Sequence, residues 1–116
     1  RLWVYAVKGD SRPTLDTPLY HAPFMNVWDN SKVCLGSMPL PDATLAESVA
    51  KWEKSFWESN FSHPNHPKPL NYKGGIHAFS RDLLDGKFKD KYPERVLRPI
   101  KGLTLGAVID HFDGIK

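Results

Sequence analysis

Ten prolines and eight glycines interrupt this 116-residue chain, so its fold must be assembled from short elements joined by turns. Proline removes a backbone donor, and glycine weakens the interior of helices and strands. Residues 2–7 form one uninterrupted window, and Trp3, Val4 and Tyr5 predict a half-buried strand there. Residues 9–18 are loop-like. Residues 19–28 read as a second extended segment, broken at Pro23, and Asp29, Asn30 and Ser31 supply turn chemistry. Residues 32–35 predict a short return strand that must leave the sheet at Gly36.

Three windows predict helices. Thr44 and Glu47 have the spacing of a capping box, and Leu45, Val49, Trp52 and Phe56 follow as one apolar stripe. Trp52, Phe56 and Trp57 read as core and flank rather than as a binding platform. The helix should fade before His63-Pro64, because a residue preceding proline avoids helical geometry. A shorter helix is expected over residues 76–84, ending at Gly86. After a charged connection at 87–94, residues 96–100 read as extended. Residues 104–112 predict a terminal helix with Leu105, Val108, Ile109 and Phe112 on one side. The expected fold class is α+β, a small antiparallel sheet with helices packed on one side.

Composition narrows the function classes. At 41% hydrophobic and 12% aromatic, residues 1–116 suit a single domain with a modest core. The net charge of +3 is mildly basic, and acidic residues accompany the basic ones between Arg81 and Arg95, so a mixed solvated surface is expected. A single cysteine, Cys34, excludes an internal disulfide and a cysteine-built zinc site. His63, His66 and His77 lack metal-ligand spacing, so no metal or other cofactor is expected. No apolar run approaches the roughly 18 residues of a membrane span. The default location is cytoplasmic.

Chemistry concentrates between Phe24 and Gly36. Asn26 stands eight residues before Cys34, and the intervening turn would fold the two segments back on each other. Cys34 also sits where a short strand gives way to a Gly/Pro-rich loop, a position that can expose one side chain on a fixed backbone. Taken alone, a lone cysteine is more often a small core residue.

Here the sequence resembles the ubiquitin-conjugating enzymes. Their asparagine precedes the catalytic cysteine by about this distance, and the cysteine is flanked by an apolar residue and leucine, as in Val33-Cys34-Leu35. Phe24-Met25 replaces that family's His-Pro. The string from Leu19-Tyr20-His21-Ala22-Pro23-Phe24 to Cys34-Leu35-Gly36-Ser37-Met38 most resembles a prokaryotic branch, the PRTRC system protein B family. Trp52-Glu53, Phe61-Ser62-His63 and Tyr92-Pro93-Glu94-Arg95 agree with that likeness.

The resemblance implies a ubiquitin-conjugating-like transferase. A ThiF-type activating enzyme would load a ubiquitin-like protein onto Cys34 as a thioester, and an amine would then take it. Asn26 would donate its amide to the developing oxyanion or hold the active-site loop. His63, with His66 as competitor, would accept the amine's proton; His21, His77 and His111 have weaker claims. A JAB-type peptidase is a further candidate partner in the same system. A complete conjugating domain starts with a helix and has more strands than are legible here, so the chain is expected to be the C-terminal, catalytic part of a longer protein. Two other classes remain: a non-catalytic module that binds a ubiquitin-like protein, and a nucleic-acid accessory protein of a mobile-element system. A steep loss of binding with salt would mark the second.

Overall fold

The computed structural model describes residues 2–35, 49–59, 64–89 and 91–113. Within them, a three-stranded antiparallel sheet is combined with three α-helices, the α+β architecture expected. Strands β1 (Tyr5–Ala6), β2 (Pro18–His21) and β3 (Pro99–Thr104) lie in the order β1-β2-β3. Tyr5 pairs with His21 and Ala6 with Tyr20. On the other side, Pro18 pairs with Thr104 and Tyr20 with Pro99, with a register shift between the two pairs. Gly102, at φ 72°, lies in the part of β3 that absorbs the surplus residues.

The expected strands are shorter than their windows. In the first window only Tyr5–Ala6 is strand, although Trp3 forms an isolated bridge to Lys32. The second window keeps strand structure only to His21. Pro23 has no N–H to continue a ladder, and the chain turns instead, with Val27 N–H reaching the Phe24 carbonyl at 3.4 Å. The expected extended run at 96–100 is displaced: a 3-10 turn occupies Glu94–Val96, and β3 follows.

Helix α1 (Val49–Trp57) buries Phe56, while Trp52 is half-buried and Trp57 is 66% exposed. The cap pair Thr44 and Glu47 lies outside the described residues. Helix α2 (Gly75–Leu84) matches the expected span within one residue. Ile76, Phe79 and Leu83 face the core at helical spacing, and Gly86 at φ 77° supplies the left-handed residue that ends the helix. Helix α3 (Leu105–Asp113) also fits its window, but none of its residues is buried. Phe112 packs on Trp3 with ring centroids 4.6 Å apart, whereas Ile109 is 41% exposed. A side chain at Gly106 would come within 2.9 Å of the Leu15 carbonyl, which explains glycine in the first turn of α3.

The core has two clusters. Ala22, Val27, Val33 and Phe56 form one, and Leu70, Ile76, Phe79 and Val96 form the other. Phe24 packs against the first cluster and its neighbour Met25 against the second. The segment leading into Asn26 is therefore fastened to both.

Candidate active site around Cys34

The turn expected at Asp29-Asn30-Ser31 closes a hairpin. Ser31 N–H donates to the Trp28 carbonyl and Trp28 N–H to the Lys32 carbonyl, both at 2.9 Å. Ser31, at φ 70°, takes the left-handed position that a three-residue hairpin loop requires. The Asn30 side-chain oxygen accepts the Lys32 N–H at 3.0 Å, a local bond that favours this turn. Val27 and Val33 then face each other across an isolated bridge, each only 2% exposed. At the open end, Cys34 N–H donates to the Asn26 carbonyl at 2.7 Å. The hairpin thus brings the two sequence-predicted residues together. It is joined to the N-terminal segment by Val33 N–H to Leu2 and Val4 N–H to Ser31.

Cys34 is half-buried with a free thiol. Asn26 is 5% exposed, and its Nδ2 donates to Ser59 Oγ at 3.2 Å. Ser59, just beyond α1, donates its own hydroxyl proton to the Phe56 carbonyl at 2.5 Å. Sequence reading gave Ser59 no role: nothing in a serine after a helix reveals a partner 33 residues away. The Phe24-Met25 departure has a physical account here. Phe24 meets Phe56 and Trp57 edge-on at 5.4 and 5.2 Å, and Met25 packs on the α2 cluster. Two apolar anchors hold the backbone immediately before Asn26.

His63 lies outside the described residues. His66 is 6% exposed, and its loop is tied beside the hairpin by Asn65 N–H donating to the Met25 carbonyl at 2.9 Å. Its Nδ1 accepts the Lys68 N–H at 2.8 Å, so the neutral ring carries its proton on Nε2. His21 meets it edge-on, with centroids 4.8 Å apart. His21 Nδ1 and Asn65 Nδ2 are buried without a hydrogen-bond partner among the described residues. Burial pushes the pKa of His66 down, and nearby Arg98 adds to the effect, while Asp29 opposes it. His21 is lowered by burial first, then by His66 and Arg98, again against Asp29. Sequence reading ranked His21 low because nothing in the linear order announces its contact with residue 66.

Among the described residues, no helix is long and apolar enough to cross a membrane. No curated protein and no solved structure matches the chain. The model of one protein family, described as prokaryotic E2 family D, matches residues 1–100, and the chain belongs to that family.

Proposed function

We propose that the chain carries a ubiquitin-like protein as a thioester on Cys34. Family membership supports a conjugation-carrier role in general, with a ubiquitin-like protein and an activating enzyme as partners. The observation that carries the finer reading is the backbone pairing of Cys34 with Asn26, which sets the residue that bears the only thiol opposite one whose side chain is buried.

In this reading a ThiF-type enzyme presents the ubiquitin-like protein's C-terminal carbonyl as its own thioester. The Cys34 thiolate attacks that carbonyl, and the activating enzyme's thiolate leaves. An amine, a lysine in the simplest case, then attacks the Cys34 thioester. The new C–N bond forms, the C–S bond breaks, and the amine gives up a proton. One Nδ2 hydrogen of Asn26 is committed to Ser59, and the second is the donor for the developing oxyanion. His63 is the proposed proton acceptor. The Lys68 N–H occupies the lone pair of neutral His66, which supports His63 over its competitor. The motif likeness to PRTRC system protein B, with a JAB-type peptidase as a further partner, belongs to the same proposal.

The test is a non-reducing gel of this protein with an active cognate activating enzyme, the ubiquitin-like protein and ATP. A heavier band that reductant removes, and that Cys34→Ala lacks, establishes the carrier. No band with active partners moves the reading to a module that binds a ubiquitin-like protein without transferring it.

A further inference from the structure

We propose that Ser59 is a positioning residue that sets which way the Asn26 amide faces. The inference rests on the reading of Asn26 as the oxyanion donor. Ser59 has one hydroxyl proton, and it is spent on the Phe56 carbonyl at 2.5 Å. Only lone pairs of Ser59 Oγ are left to face Asn26. The NH2 end of the amide satisfies them, as it does at 3.2 Å, whereas the flipped amide would set two acceptors against each other. A carbonyl in the last turn of α1 thereby dictates, through one hydroxyl, the orientation of a side chain on the hairpin that holds Cys34. Asn26 is 5% exposed, so water is poorly placed to replace that hydroxyl. A flipped amide would turn its own oxygen toward Ser59 and take the NH2 group, with its second hydrogen, out of position for the thioester.

The experiment measures charging of Cys34 and single-round discharge to free lysine for the full chain and its Ser59→Ala, Ser59→Thr, Ser59→Val, Asn26→Ala and Ser59→Ala/Asn26→Ala variants. Ser59→Ala is expected to charge normally and discharge about fivefold more slowly, the rate equivalent of one ordinary hydrogen bond. Thr restores the rate, and Val, its isostere without a hydroxyl, does not. The Thr and Val pair answers the question even if the alanine variant folds poorly. In the double variant, loss of Ser59 adds nothing to loss of Asn26. The side-chain NH2 resonances of Asn26 give a readout independent of transfer, with solvent exchange slow in the wild type and Thr variant and fast in the Val variant.

Discharge at the wild-type rate in Ser59→Val, with Asn26→Ala slow, removes Ser59 and leaves Asn26 in place. Wild-type discharge in Asn26→Ala overturns the donor reading and this inference with it. A wild-type protein that takes no thioester from active partners overturns the carrier reading as well.

Discussion

The Cys34 N–H is bonded to the Asn26 carbonyl at 2.7 Å, so the Cys34 backbone is fixed at the mouth of a hairpin whose opposite arm carries the buried Asn26 side chain. The backbone at Cys34 is thus held by the ladder, and its side chain is only half-buried. Cys34→Ala is expected to abolish charging and to lower stability by less than about 1 kcal/mol, since little apolar area is lost. Thermal melting beside the charging gel checks both parts. A large drop in melting temperature would assign Cys34 to the core.

Asn26 carries a different balance. Its side chain is buried and donates to Ser59, so Asn26→Ala leaves a cavity and an unmet acceptor at once. A loss of about 1–3 kcal/mol is expected in denaturant melts. Discharge should slow more than charging, because the oxyanion in the transfer to the amine is the one this amide is proposed to serve. Equal discharge rates would take the amide out of the mechanism.

The part of this site that was legible in the sequence is the part set by local rules. The Asp29-Asn30-Ser31 turn follows from residues that make local side-chain bonds to the backbone, as Asn30 does to the Lys32 N–H, and it brings Asn26 to Cys34. Helix α2 was legible because its apolar stripe and its terminating glycine agree. Ser59 and His21 were hidden because their partners, Asn26 and His66, lie 33 and 45 residues away and are reached only through packing. Strand lengths were overestimated for a related reason. Aromatic and β-branched residues at 2–7 mark a surface suited to packing, yet only Tyr5 and Ala6 pair with β2, which ends opposite Tyr5 at His21, while Trp3 and Val4 pair with the hairpin at Lys32 and Ser31 instead.

The substitution of Phe24-Met25 for His-Pro gives a separate test. Phe24 lies half-buried against Phe56 and Trp57, and its carbonyl accepts the Val27 N–H that closes the turn through Asn26. Phe24→Ala should cost about 2 kcal/mol, below the cost at a fully buried phenylalanine. Because Phe24 anchors the segment before Asn26, discharge should slow while Cys34 still charges. Met25→Pro suits the second position of that turn but strips the contact with the α2 cluster. It should therefore fold with reduced stability. Melts of the two variants that match wild type would show that neither anchor matters.

His66 makes stability depend on pH in a direction that the geometry fixes. Its pKa in the folded chain lies below the ordinary value of 6.5, chiefly through burial, with Arg98 adding to the effect and Asp29 opposing it. His21, packed edge-on against it, is lowered as well. As pH falls through about 6.5, the unfolded chain takes up protons that the folded chain refuses, so stability drops. The contribution is fully present above that pH and is lost toward the folded-state values. Protonation at Nδ1 would also turn the acceptor of the Lys68 N–H into a donor, while Arg98 Nη1 holds the Lys68 carbonyl at 2.5 Å from the other side. Melting temperature should therefore decline between about pH 6.5 and pH 5, before most carboxylates titrate. His66→Asn offers an oxygen to the same N–H and cannot be protonated in this range, so its decline should be shallower. Titration of the His66 ring by NMR gives the direct check. A midpoint at or above 6.5, or an unchanged slope in the asparagine variant, would show that the buried ring does not control this loop beside Met25 and Asn26.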